Sequence, residues 1–166
     1  MSNNRLMAGL ATVGLGLAFA APADAQLLAR KDLSLATALT IATIAADLCK
    51  SQGYIVSVAV VGRNGEVIVQ MRGDNASPHT LENAFRKAYS SRTYRVPSGE
   101  LAKRIKDNPT APFVYLSNVV AAQGALPIKV GDDVIGAVGV SGAPGGEIDE
   151  ACAKAGIEAI RDRLEF

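Results

Sequence analysis

His79 is the only histidine in the 166-residue chain, and it stands where a loop is expected to give way to a helix. The run around it reads Asp74-Asn75-Ala76-Ser77-Pro78-His79-Thr80. Ser77 has N-cap chemistry, because a serine hydroxyl accepts from a free N–H of the first turn. Pro78 suits the next position, where its missing N–H costs nothing. His79 then falls in the first turn, where the helix dipole favours neutral imidazole, the form that ligates a metal or haem iron. Arg86, Lys87, Tyr89, Arg92 and Tyr94 follow. Cationic side chains clamp carboxylates, haem propionates included, through charge-assisted hydrogen bonds. Tyrosines line flat pockets or ligate ferric iron as phenolates. Taken singly, each of these residues fits an ordinary surface or part-buried role better.

Other chemistries find little support. One histidine builds a zinc site only with thiol or acidic partners at suitable spacing. The chain has no Gly-x-Ser-x-Gly elbow, no His-Glu-x-x-His and no CxxC. Ala143-Pro144-Gly145-Gly146 precedes a helix and could hold an anion on free N–H groups. It lacks a Walker lysine and reads as a tight strand-to-helix connection.

These residues must be positioned by the elements around them. A helix is expected from Asp32 or Ser34 to about Gln52. Its apolar stripe is Leu35, Leu39, Ala42, Ala46 and Cys49, widened by Ile41, Ile44 and Leu48, so it should be mostly buried. Tyr54 to Val61 reads as a central strand. Asn64-Gly65 signals a hairpin into Glu66 to Arg72. The His79 helix runs from Pro78 to about Arg92, with Leu81, Ala84, Phe85 and Ala88 on its apolar stripe. A short helix from Ser98 to about Lys106 ends at Asn108-Pro109. Phe113 to Leu116 reads as a short strand or a loop. Leu126 to Val130 and Val134 to Ser141 read as strands. The small residues alternating through Ile135, Ala137, Gly139 and Ser141 predict a close neighbour on that face. A last helix from Glu147 to about Arg163 carries Ile148, Cys152, Ala155 and Ala159 on one stripe. Hairpins dominate, so the fold class is α/β (α+β) with an antiparallel sheet covered by helices.

The ends and composition set bounds. Arg5, an uncharged stretch from Leu6 to Ala21, and Ala23-Asp24-Ala25 together make residues 1–25 an expected secretory signal peptide. Residues 26–166 then form a single domain, periplasmic or secreted, with no membrane association after cleavage. Removing Arg5 and Asp24 leaves the net charge at +1. That balance argues against nucleic acid as a partner. Cys49 and Cys152 each fall on an apolar helical stripe. An oxidising compartment permits a disulfide between them, while two unrelated buried thiols fit the pattern equally.

Several segments together resemble the GlcG/HbpS-type haem-binding family. They are Gln52-Gly53-Tyr54 with Val56-Ser57-Val58-Ala59-Val60-Val61, then Arg72 through Thr80 followed by Arg86-Lys87-Ala88-Tyr89. Leu126-Pro127-Ile128, Gly136 to Gly142 and Asp149-Glu150-Ala151-Cys152-Ala153 complete the likeness, in order and spacing, over nearly all of residues 26–166. Two positions depart from the family pattern. Gly62 replaces a frequent acidic residue, and Gln123-Gly124-Ala125 replaces a glycine run.

The resemblance implies a profilin-like three-layer α/β/α sandwich around a mainly antiparallel sheet, and self-association as a homo-oligomer. It implies haem as cofactor, with a role in haem capture, degradation or sensing. His79 would be the axial metal ligand, with Arg86, Lys87 and Arg92 near the propionates and Tyr89 and Tyr94 at the ring or iron. Two alternatives stand beside this reading. One is an enzyme or accessory protein acting on a small organic acid, supported by the glycine-rich closing strand and the basic cluster. The other is a structural oligomer without ligand.

Overall fold

The computed structural model describes residues 28–164; the expected signal peptide at 1–25 lies outside them. Ser34 opens the first helix, α1 (Leu35–Ser51), by accepting the Thr37 N–H on its hydroxyl at 3.2 Å. Strand β1 (Ser57–Val61) turns through the Asn64-Gly65 hairpin into β2 (Val67–Arg72). The His79 helix, α2 (Pro78–Tyr94), is followed by α3 (Ser98–Asp107) and a 3-10 turn at Pro112–Tyr115. Strands β3 (Ala125–Val130) and β4 (Asp133–Ser141) form a second hairpin, and α4 (Gly146–Glu158) closes the fold before a 3-10 turn at Arg161–Arg163.

All strand pairings are antiparallel, in the order β2-β1-β4-β3. The two central strands therefore come from different hairpins, with Ser57 opposite Ser141 and Ala59 opposite Gly139. Strand periodicity sends alternate residues to opposite faces. Val58, Val60, Val138 and Val140 join Ile128 and Ile135 in a core beneath α1 and α4. Each such aliphatic side chain stabilises the fold by about 1.5–3 kcal/mol when fully buried. The other face carries Ala59, Val61 and Ala137 against Ala84 and Ala88 of α2. The result is the expected α/β/α sandwich.

The small residues of β4 have the consequence expected of them. A Cβ on Gly139 would stand 2.3 Å from the Ala84 carbonyl oxygen and 2.7 Å from the Ala88 nitrogen, so α2 lies directly on this strand. Ile135 breaks the alternation. The register slips where Ile128 faces Gly136 and Lys129 faces Val134, which leaves Ile135 as an extra residue that turns to the α1–α4 core.

Several boundaries and stripes differ from the sequence expectation. On α1 the buried residues are Ala38, Ile41, Ala42, Ala45 and Cys49, while Leu35, Leu39 and Ile44 are exposed. Apart from Ile41, alanines and Cys49 rather than leucines face the core, because α1 and α4 pack closely; a Cβ on Gly156 of α4 would come 2.5 Å from the Ile41 carbonyl oxygen. On α4 the buried stripe is Asp149, Cys152, Ala153 and Gly156, and the helix ends at Glu158. Ser77 occupies the α2 N-cap position without a side-chain capping bond; its carbonyl accepts the Thr80 hydroxyl at 2.7 Å instead. Ser98 is the first residue of α3 rather than its cap, and its hydroxyl accepts the Ala125 N–H at 2.9 Å. Phe113 to Leu116 is not a strand, since Pro112 starts a 3-10 turn there.

The open question of the cysteines is resolved. Cys49 and Cys152 form a disulfide that joins α1 to α4, with Cα atoms 5.7 Å apart.

Candidate functional site

The start of α2, the end of β4 and the loop into α4 enclose a cleft of about 360 Å³. Ser77, His79, Thr80, Asn83 and Lys87 reach it from α2, which places them on one side of that helix by the i, i+3, i+4 rule. Ala122, Gln123, Ser141, Gly142, Ala143 and Gly146 line the opposite wall. His79 is exposed at the rim. Beneath it, polar side chains satisfy one another. The Ser57 and Thr80 hydroxyls are 2.8 Å apart, and the Asn83 amide donates to the Ser141 hydroxyl at 3.0 Å.

The floor is a buried ion pair. Lys87 Nζ donates to Asp149 Oδ2 at 2.8 Å and to the Val140 carbonyl at 3.0 Å. Asp149 Oδ1 accepts the Ala143 N–H at 3.0 Å, so the same carboxylate closes the loop that leads into α4. Burial pushes the Asp149 carboxyl above its ordinary value, against the opposing hydrogen bond from Lys87. Gly124 is required here. Its φ is +130°, and a Cβ would lie 2.7 Å from Lys87 Nζ and 2.9 Å from the Val140 oxygen. The departure from a glycine run thus keeps the one glycine that the ion pair needs.

The six sequence-predicted residues do not form one cluster. His79 and Lys87 share the cleft, but Lys87 is no free surface cation: its ammonium is committed to Asp149. Arg86 lies beside them, with Nη2 donating to the Val119 carbonyl at 2.9 Å and Nη1 3.6 Å from Glu82. Tyr89 does not line the cleft; it packs on Phe85 with ring centroids 5.8 Å apart and lies over Gly65. Tyr94 packs on Phe113 at 5.3 Å. Arg92 is about 20 Å from His79 along the helix axis. Burial, followed by the nearby Arg95 and Arg63, pulls its guanidinium below the ordinary value.

Among the described residues no group of three or more His, Cys, Asp and Glu side chains could hold a metal ion. A metal held by protein ligands alone is therefore not built at His79. A cofactor that brings its own equatorial ligands needs only the exposed imidazole.

Sequence reasoning missed Thr80, Asn83, Gln123, Ser141 and Asp149. Asp149 had one available sign: it shares the apolar stripe of α4, three residues before the buried Cys152, and a carboxylate there calls for a partner.

A family model described as haem degrading protein HbpS-like matches residues 33–158. Crystal structures of HbpS, including a double mutant of the Streptomyces reticuli protein, are 35% and 34% identical with TM-scores of 0.77. They cover 84% and 86% of this chain and are themselves 97% covered. The structure of a PduOC:heme complex shares the fold at 24% identity and a TM-score of 0.71, covering 78% of this chain and 96% of its own. An uncharacterized 15.0 kDa protein in the dhaT-dhaS intergenic region of Citrobacter freundii is 30% identical over 87 residues, 51% of this chain. The chain spans 61% of the length of that curated relative.

Proposed function

The chain belongs to the family of HbpS-like haem-degrading proteins, and from that premise we propose that it binds haem, with His79 as the axial ligand and Arg86 at a propionate. The observation that carries this reading is the placement of these two side chains. His79 is exposed in the first turn of α2, and Arg86 stands two turns further on the same side, about 10 Å along the axis. That spacing suits a group whose iron lies on the imidazole and whose carboxylate reaches the guanidinium. Beyond Arg86, the Val119 carbonyl ties the helix to a segment whose Tyr115 and Leu116 are exposed, a surface suited to an apolar ring face.

Haem, when bound, would supply an iron centre for a nitrogen or oxygen ligand. His79 would hold that iron through an unprotonated ring nitrogen, and Arg86 would pair with the propionate through charge-assisted hydrogen bonds. Lys87 supports the site from below through Asp149. Arg92 and Tyr94 stand about 20 Å or more from His79 along the helix axis, so the proposal rests on His79 and Arg86. Within the haem-related family role, capture is what these residues supply directly.

Export to the periplasm belongs to the same proposal. The signal-like residues 1–25 and the Cys49–Cys152 disulfide both suit an oxidising compartment. Self-association is supported by Leu35 and Leu39, which stand one turn apart on α1 with 58% and 43% of their surface exposed.

Hemin titration of the wild type, Arg86→Ala and Arg92→Ala tests the reading. The wild type is expected to give a saturable Soret band, Arg86→Ala weaker binding, and Arg92→Ala unchanged binding. A wild type without saturable binding would overturn it.

A further inference from the structure

We propose that the outer edge of β2 is the surface by which two copies of this chain join, strand to antiparallel strand, into one continuous sheet. This rests on the self-association read above from Leu35 and Leu39, and it is independent of haem.

The two edges of the sheet are built differently. In β3 the Gly124 carbonyl accepts the Val140 N–H at 2.9 Å, so alternation turns Ala125 and Pro127 outward. The Ala125 N–H is taken by the Ser98 hydroxyl at 2.9 Å, and Pro127 has no N–H to offer. That edge is closed to a further strand. In β2 the Gly73 N–H reaches the Val56 carbonyl at 2.9 Å. Met71 and Val69 therefore bond to β1, while the N–H and C=O groups of Gln70 and Arg72 turn outward. Both residues are exposed, and β2 contains no proline. Val60 faces Val69 and Val61 faces Val67, which makes Ile68 the extra residue of a bulge and leaves residues 69–72 as the regular free ladder.

A second copy fits this ladder by symmetry. An antiparallel dyad through Met71 sets Gln70 of each copy opposite Arg72 of the other, and each such pair exchanges N–H···O bonds. Side chains directly opposite each other share a face of the sheet. Arg72 is the one charged residue of β2, and it has no ion pair among the described residues. The facing Gln70 donates its amide nitrogen to the Leu81 carbonyl at 2.8 Å, which leaves the amide oxygen to accept from the guanidinium.

The helix layer above β2 matches under the same dyad. Ala46 and Lys50 of α1 share a cleft with Arg72 and Gly73. Leu39 lies seven residues before Ala46, on the same stripe and about 10 Å back along the helix. Three strand residues also span about 10 Å, so Leu39 stands above Val69. The dyad sets Val69 opposite Gly73 of the second copy, and so brings Leu39, 43% exposed, against the small Ala46 of that copy. No charged residue lies between Leu35 and Ala46 to oppose the contact.

Light scattering on a sizing column, with amide hydrogen exchange, tests this edge. The variants are Arg72→Pro, which copies the device of Pro127, and Leu39→Lys, with Ile44→Lys as control. Ile44 is exposed on another side of α1. The wild type is expected at a multiple of the single-chain mass, with slow exchange at the Gln70 amide. Arg72→Pro and Leu39→Lys should each lower the mass at least twofold and speed that exchange, while Ile44→Lys should do neither. If Arg72→Pro loses its far-UV circular dichroism, Leu39→Lys and the Gln70 amide decide. A monomeric wild type overturns both this interface and self-association. An oligomer unchanged by Leu39→Lys, equally weakened by Ile44→Lys, or with fast exchange at Gln70 overturns the strand interface alone.

Discussion

Lys87 Nζ lies 2.8 Å from Asp149 Oδ2, and both side chains are 4% exposed. Lys87 belongs to α2 and Asp149 to α4, which lie on opposite faces of the sheet. The pair therefore meets around the end of β4, where the Val140 carbonyl also accepts from the ammonium. It fixes the start of α4 relative to the helix that carries His79.

Breaking one side of this pair leaves a buried charge uncompensated. Lys87→Met is expected to cost about 3–5 kcal/mol of unfolding free energy. Lys87→Met/Asp149→Leu should recover part of that loss. Recovery stays incomplete because the Ala143 N–H then lacks its acceptor, at a cost of about 1–3 kcal/mol. Urea unfolding of the two variants checks this, and a double variant no more stable than Lys87→Met would contradict it.

A second cationic clamp predicts a pH dependence. Arg63 bonds Asp32 at 2.9 Å and Asp133 at 2.8 Å, so it ties the segment before α1 to the start of β4. The Arg63 hydrogen bond holds the Asp133 carboxyl below its ordinary value of 3.8. A depressed carboxyl stabilises the fold above its unfolded value, and that contribution is lost as pH falls through the lower folded value. Asp133→Asn should therefore unfold at lower urea than the wild type above about pH 5, with the two midpoints converging toward pH 2. A gap that stays constant across this range would show that the carboxylate charge is not its cause.

The disulfide closes a sequence separation of 103 residues. A cross-link across a loop of that length stabilises by about 4–5 kcal/mol in the chain-entropy model. Cys49→Ala/Cys152→Ala should lose stability of that order by chemical denaturation. A loss below about 1 kcal/mol would mean that the helix pair is already ordered in the unfolded chain.

The alternation of small residues along β4 was legible in the sequence, and so was the close approach it demands. The hairpin at Asn64-Gly65 and the start of α2 at Pro78 were equally legible, because one is set by local turn chemistry and the other by a proline at the first helical position. The phases of α1 and α4 were not. Leu35 and Leu39 outrank Ala38 and Ala45 in hydrophobicity, yet helix contact selects the small residues. Of the candidate site, His79 and Lys87 were identified, but their relation was not. The partner of Lys87 is 62 residues away, a separation that no local pattern encodes. Tyr89, Arg92 and Tyr94 follow His79 closely in sequence, yet helical rotation and rise carry them out of the cleft or to the far end of α2.

Gly139→Ala tests the close approach of α2 to β4. The added methyl would meet the Ala84 carbonyl 2.3 Å away, so helix and strand must separate. Overpacking of this kind costs about 1–3 kcal/mol. A thermal melt showing no loss of stability would mean that α2 is free to shift on the sheet.

The most direct test of the haem reading is a hemin titration of the wild type beside His79→Ala, followed at the Soret band. His79 is exposed, so its removal should leave the fold intact, as a far-UV circular dichroism melt would register. The wild type should saturate, and the variant should bind more weakly with a displaced Soret maximum. Identical spectra and affinities for the two proteins would contradict His79 as the iron ligand.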